Sequence, residues 1–331
     1  MNETEPARIF VVGSFVVACC VMVARLPRPG ESLSAADLSV EPGGKGFNLA
    51  VTSHRLGSAV DGVFAVGDDA FSELAATSFR LAGLSTAMIR SYAGTTGAGV
   101  GFIDGTGENC LAVHMGANDL LSAAEIDRCA PAIARANLTL ATFESPDGPI
   151  LAGFSIARRA GKRTLLNPSP YRPVDPGLLA QTSIVVVNEV EAGQWADASG
   201  TPVSPGAPAR AYADLADAIL RGGPDLVVVT LGARGAVVFR PGQAPCHQPA
   251  IPGETVDTIG AGDAFTGGLA ASLIRDLPLE ESLLRATACG AIATRRFGAF
   301  HAFPTTQDLD DFLDALPGDQ GAGRTSSALV A

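Results

Sequence analysis

The sequence predicts an α/β fold: a mostly parallel central sheet flanked by helices, with a small β-sheet lid. Three observations point there. Short apolar runs alternate with segments of helical periodicity, the pattern of strands joined by crossover helices. Two segments, 16–43 and 94–116, break that alternation with strand-like stretches, Gly-rich in the second. The chain of 331 residues is 47% hydrophobic and only 17% charged, with 38 Gly and 22 Pro, which suits many short connections between packed elements.

The first apolar run, 9–24, is interrupted only by Gly13 and Ser14 and is followed by Pro27 and Pro29. It falls short of the roughly 20 residues that cross a bilayer. Glu3 and Glu5 precede it where a secretion signal needs positive charge, so no membrane association is expected. The run therefore reads as a buried strand, 9–12, leading into a second strand.

Further core strands are expected at 60–66, 138–143, 164–166, 184–187 and 226–230, with helices at 71–81, 150–159 and 210–220. Ser122 followed by Glu125 predicts a capping box. Segments 16–43 and 94–116 form the lid, the second around the turn-forming Asp104-Gly105-Thr106-Gly107. The whole chain, 1–331, is expected to be one α/β domain, with its Gly- and Ser-rich tail, 318–331, disordered.

A net charge of -11 without a basic cluster argues against nucleic acid. Cys19, Cys20, Cys110, Cys129, Cys246 and Cys289 show no CxxC spacing and predict reduced, mostly buried thiols in a cytoplasmic protein. The four histidines lack zinc-ligand spacing.

The chemistry concentrates at Asp257-Thr258-Ile259-Gly260-Ala261-Gly262-Asp263, continued by Ala264-Phe265-Thr266-Gly267-Gly268 and a helical pattern. Small residues before a helix let backbone N–H groups approach an anion, and the helix dipole adds positive potential. Asp263 at the edge of such a cradle is placed to take a proton from a hydroxyl while Gly260, Ala261 and Gly262 stabilise a transferring phosphoryl group. The same residues also suit a plain Gly-rich turn in which Asp263 caps the helix, and the residues alone leave both open.

D-T-x-G-A-G-D followed by A-F-x-G-G resembles the C-terminal signature of the ribokinase-like PfkB family of carbohydrate kinases. Gly43-Gly44-Lys45-Gly46-Phe47-Asn48-Leu49-Ala50 resembles that family's N-terminal G-G-K-G-x-N-x-A. It is not a P-loop, because Gly46 stands where Ser or Thr would hold magnesium. Asn167-Pro168-Ser169-Pro170, Asn188-Glu189-Val190-Glu191, Thr230-Leu231-Gly232-Ala233-Arg234-Gly235 and 291–304 resemble further segments in the family's order. The resemblance thus covers 8–316 and implies a ribokinase-like fold.

It also implies an ATP-dependent phosphotransferase that moves the γ-phosphate to a hydroxyl of a sugar or sugar-like small molecule, with Asp263 as general base. By the same resemblance Gly43, Gly44, Lys45, Asn48, Glu144 and Asp263 hold the acceptor. Asn188, Thr230, Gly232, Gly235 and Gly262 hold the nucleotide. Glu191 organises Mg2+ through water, and the backbone oxygens of Asp257, Ile259, Ala293, Arg296 and Gly298 form a K+ site, although Ala302 replaces a serine ligand. Without the family, Glu191 reads as a surface carboxylate and Lys45 as a solvated helix-start lysine. The exposed lid is expected to pair with a second copy as a homodimer.

One departure stands out. The family's first strand usually reads G-S-x-N-x-D, whereas this chain has Gly13-Ser14-Phe15-Val16-Val17-Ala18. The Asn and Asp that bind vicinal hydroxyls are missing, while Glu144 and Asn118 match family positions near the sugar. The change implies that ribose is a poor substrate and that a deoxy sugar, or a nucleoside with its base on Phe15, Val16 and Cys19, fits better. Alternatively Glu31 or Asn109 supplies the missing group. A nucleoside kinase and a non-catalytic metabolite sensor on the same fold remain the other readings. A nucleotide-dependent oxidoreductase lacks its G-x-G-x-x-G.

Overall fold

The computed structural model describes residues 7–104 and 109–316. Strand β1 (Arg8–Gly13) is buried on both faces, as its unbroken apolar sequence requires. The chain then leaves the main sheet for the lid strands β2 (Val16–Met22) and β3 (Asp37–Gly43) and returns through helix α1 (Lys45–Arg55). β4 (Ala59–Val66), α2 (Ala70–Leu81) and the short β5 (Ile89–Ser91) follow, before β6 (Gly97–Ile103) and β7 (Asn109–His114) complete the lid.

Regular alternation then sets in. Helices α3 (Ala123–Arg128) and α4 (Ala130–Arg135) lead to β8 (Leu138–Thr142), α5 (Asp147–Arg159), β9 (Arg163–Asn167) and α6 (Pro176–Ala180). After them come β10 (Ile184–Asn188), α7 (Glu189–Ser199), α8 (Ala213–Arg221), β11 (Leu226–Thr230), β12 (Ala236–Phe239) and β13 (Cys246–Gln248). Helices α9 (Ala261–Leu273), α10 (Leu279–Ala293) and α11 (Thr306–Asp314) complete the described chain.

The main sheet has nine strands in the order β13-β12-β11-β10-β9-β8-β1-β4-β5, with β12 and β13 antiparallel at one end. Its parallel strands all end on one edge, so Ser14, Glu144, Asn167, Asn188 and Thr230 lie at or just beyond carboxyl ends, where open α/β sheets bind ligands. Helices α1 and α9 pack together on one face over a core that includes Phe47, Phe64 and Phe79.

The lid is a separate four-stranded sheet, β3-β2-β6-β7, with β2 and β6 parallel and both outer pairs antiparallel. One face carries Val40, Cys19 and Val100 in a row, with Leu38 on the next; Leu38, Val40 and Val100 are exposed. The other face carries Val16, Ala18 and Cys20. Asn118 fastens both roots of this sheet: its Oδ1 accepts from Phe15 N at 3.0 Å, and its Nδ2 donates to Phe15 O and to Met115 O, both at 2.8 Å.

Several expectations need correction. Phe15 is fully buried against Phe47 and cannot line a substrate site. Cys19 lies on the opposite lid face from Val16, because side chains alternate along a strand; Cys20 shares that face. The cysteines are all free, but only Cys289 is buried, between α9 and α10, where desolvation pushes its thiol up to about 12. Cys110 is exposed and the other four are half-buried. The Ser122 capping box forms only in half: Ser122 Oγ accepts from Glu125 N at 3.4 Å, while the Glu125 carboxylate turns to Arg90 and Arg128. Most of the Asp104–Gly107 turn and the tail 318–331 lie outside the described residues.

Candidate active site

The loop before α1 closes over the end of β1. Gly44 has a left-handed φ of 93°, and a Cβ on Gly46 would sit 2.3 Å from Ser14 N, so the chain passes here only as glycine. Glu144, just past β8, ties this loop down. Its Oε2 accepts from Ser14 Oγ at 2.7 Å and from Lys45 N at 2.6 Å, while Ser14 Oγ accepts from Gly46 N at 3.1 Å. Burial raises the Glu144 carboxyl, while Lys45 and these hydrogen bonds pull it back down. Sequence reasoning placed Glu144 on the acceptor; its observed partners are the glycine loop and the end of β1, and Oε2 takes both bonds. The role of Ser14 was missed.

Helix α9 begins at Gly260, whose φ of 76° is the left-handed conformation that glycine adopts without strain. Ala261 N donates to Thr258 O and Ala264 N to Gly260 O, leaving the first-turn N–H groups of Gly262 and Asp263 to point out of the helix end. Asp263 sits in that turn, buried, and Asn48 Nδ2 donates to its Oδ2 at 2.7 Å. Burial pushes the Asp263 carboxyl up; the Lys45 ammonium and the Asn48 bond oppose the shift. Lys45 in turn is drawn down by burial, but Asp263, Glu144 and Glu191 together hold it above its ordinary value. It is thus a charged lysine among three carboxylates rather than a solvated one.

Two recesses meet here. A cavity of about 520 Å³ is lined by Asn188, Thr230, Gly232, Gly235, Gly262 and Thr287 among others. A slot of about 40 Å³ is lined by Lys45, Asn167, Asn188, Glu191, Asp263 and Thr266. Asn188, Thr230 and Gly262 line both, so the cradle stands at their junction. The Thr287 hydroxyl, buried and without a partner among the described residues, was not singled out from sequence; a threonine inside an apolar helix face gives no signal of what lies opposite.

Glu191 is buried, contrary to the surface reading that its type suggests. It forms a full capping box at the start of α7: Asn188 Oδ1 accepts from Glu191 N at 2.8 Å, and Glu191 Oε2 accepts from Asn188 N at 2.9 Å. Oε1 is the oxygen left for other partners. Beside the Lys45 ammonium, the slot carries the oxygens of Asn167, Asn188, Glu191, Asp263 and Thr266, hard donors of a kind that fits Mg2+ carrying its own waters and substrate phosphates.

The segments expected to carry the carbonyl site lie side by side. Gly298 N donates to Asp257 Oδ2 at 3.1 Å, Ile259 N to Asp257 Oδ1 at 2.9 Å, and Asp257 N to Thr294 O at 3.2 Å, so 257–259 and 294–298 are drawn together. The carbonyl of Ala293 accepts from Arg296 N at 3.2 Å, and the Arg296 side chain pairs with Asp308. Of the two candidates for the missing lid group, Glu31 is ion-paired with Arg25 and also accepts from Arg28 N, so its carboxylate is already engaged. The Asn109 side chain lies outside the described residues.

Asp263 is a buried carboxylate at a helix N-terminus, in a small polar slot that shares Asn188, Thr230 and Gly262 with a larger cavity, an arrangement suited to an α/β enzyme acting on small molecules. The chain matches the model of the pfkB family carbohydrate kinases over residues 6–306. It belongs to the PfkB family and is a carbohydrate kinase. It is 32% identical to the ribokinase of Mus musculus, covering 93% of this chain and 95% of that protein. It is 29% identical to the deoxyribokinase of Salmonella typhi, covering 92% and 98%. The structure of Arabidopsis thaliana ribokinase complexed with ribose and ATP superposes with a TM-score of 0.84 at 26% identity, covering 93% of this chain and 99% of that one.

Proposed function

We propose that this kinase transfers the γ-phosphate of ATP to a hydroxyl of a sugar, with Asp263 as the general base. The observation that carries this is the placement of Asp263: buried, held by Asn48, and next to the residues that line both recesses. In this reading the larger cavity takes the nucleotide and the slot the phosphoryl group. Mg2+ held at Glu191 through water would neutralise phosphate charge. The acceptor hydroxyl gives its proton to Asp263, and the N–H groups of Gly262 and Asp263 stabilise charge on the phosphoryl oxygens. Lys45 adds positive charge and favours the ionised form of Asp263 against the effect of burial. A K+ on the carbonyls near Asp257 and Gly298 would add positive potential behind the cradle.

The lid supports a sugar with a less polar end. Val16, Ala18 and Cys20 present no charged group, and one relative is a deoxyribokinase. The outward row of Leu38, Val40 and Val100 suits pairing with a second copy through the lid. We place the protein in the cytoplasm on its free thiols; no described helix is long and apolar enough to cross a membrane. ADP release from ATP over a panel of pentoses, deoxypentoses, hexoses, sugar acids and nucleosides tests the assignment. Release with a sugar is expected; release with nucleosides alone would replace it.

A further inference from the structure

We infer that Glu41 on β3 supplies the acceptor-binding carboxylate that position 18 lacks, a step that rests on the sugar-kinase reading above. Glu41 is paired directly with Ala18 across the β2–β3 ladder, so its side chain leaves the sheet on the same face as Val16, Ala18 and Cys20. That face is turned toward the body of the protein. A Cβ built on Gly298 would lie 2.9 Å from Glu41 Oε2 and 3.1 Å from Oε1, so the carboxylate reaches the segment that Asp257 ties to the cradle. Glu41 is half-buried, and its hydrogen bond within the chain comes from Ser39 Oγ to Oε1 at 3.2 Å. Asp257 and Arg296 nearby are committed to Gly298 and Asp308. Of the other described carboxylates in 16–43, Glu31 is committed to Arg25, and Asp37, at the far end of β3 opposite Met22, accepts from Leu38 N at 2.8 Å.

Partial burial of a carboxylate without a cation is unfavourable unless donors complete its shell. Sugar hydroxyls provide such donors, and the small Ala18 side chain leaves the approach open. Because Glu41 extends from the neighbouring strand, about 4.8 Å away, it grips a different hydroxyl from the one that a carboxylate at position 18 would reach. The acceptor is therefore a sugar bearing a hydroxyl on the β3 side, next to Gly298, with its less polar edge over Val16 and Ala18.

The test uses full-length parent, Glu41→Gln, Glu41→Ala and Glu41→Ala/Ala18→Asp, assayed for ADP release with D-ribose, 2-deoxy-D-ribose, D-xylose, D-arabinose and D-fructose. For the best acceptor, both single variants are expected to lose at least tenfold in kcat/KM, chiefly through KM. The loss should be smaller for the acceptor lacking the gripped hydroxyl, and the double variant should shift preference toward ribose. Single variants within twofold of the parent on every acceptor would overturn the assignment. An equal loss on all acceptors would also overturn it, since that marks a contact that only latches the lid to Gly298. A parent that releases no ADP with any sugar would remove the underlying sugar-kinase reading, and this inference with it.

Discussion

Asn48 and Asp263, 215 positions apart, meet at 2.7 Å where helices α1 and α9 pack, and this bond orients the carboxylate. Asn48 Oδ1 remains buried without a partner among the described residues, an acceptor suited to a substrate hydroxyl. Asp263→Asn should keep the fold and nucleotide binding and lower kcat by about 100- to 10,000-fold, the usual effect of removing a general base. Turnover within a few-fold of the parent would reassign Asp263 to helix capping.

The pH profile follows from the same carboxyl. The proposed base Asp263 would work only when ionised, and burial raises its pKa, so activity should fall as pH drops through a limb above the ordinary Asp value of about 3.9. Lys45→Met removes the charge that opposes this shift, and the limb should move to higher pH in the residual activity. The sign for stability is reversed. The folded protein binds this proton more tightly than the unfolded chain, so the stability it contributes is present below the unfolded pKa and is lost as pH rises from there through the folded pKa. Asp263→Asn should therefore raise Tm at neutral pH, with the gain shrinking as pH falls; thermal melts across pH measure it.

Glu191 caps α7 and is proposed to organise Mg2+, two roles that substitution can separate. Glu191→Gln keeps a group able to complete the capping box, so Tm should hold while the Mg2+ concentration needed for half-maximal rate rises. Glu191→Ala should in addition cost roughly 1 kcal/mol of stability. A Mg2+ titration unchanged in Glu191→Gln would leave Glu191 as a cap alone.

Ribose should be a poor acceptor for the parent protein. A hydrogen bond to a charged group is worth about 1.5 to 3 kcal/mol, so absence of the carboxylate at position 18 lowers kcat/KM by one to two orders of magnitude. Ala18→Asp alone should raise the ribose to 2-deoxyribose ratio. Equal efficiency with ribose and the best alternative in the parent would refute this.

The outward lid row predicts association. Leu38→Asp or Val100→Asp should shift the parent's mass in light scattering toward a monomer without changing the nucleotide cavity, which lies in the body. A parent that is already monomeric at micromolar concentration would exclude pairing through this face.

How much of this was legible depends on the range of the interaction. The cradle was readable because its glycines, Asp263 and the following helix are contiguous, and the parallel sheet because its buried strands are uninterrupted apolar runs. The Asn188–Glu191 capping box is equally local, its two residues standing three apart at a helix start, but burial of Glu191 depends on tertiary packing. Period-2 alternation already separates Cys19 from Val16 once the strand is accepted. Glu41 was not legible: its neighbour across the fold, Gly298, is a backbone in a loop with no side chain to betray the approach. Thr287 and Phe15 failed for a related reason, since residue type does not report which side of a helix or turn the rest of the chain covers.

Asn118 joins the strand that leaves the body at Phe15 to the one that returns at Met115, using both ends of its amide. The sheet above it is therefore a module with one stitched seam, while the residues of the chemistry stand on other elements below. On the proposed function, substitutions on the inner lid face would change which alcohol is admitted without perturbing Asp263 or the start of α9. In evolutionary terms, such a division lets a lineage drift between substrates through individually tolerated steps, and the exchange of a polar pair for Val16 and Ala18 with Glu41 alongside is the form one such step would take.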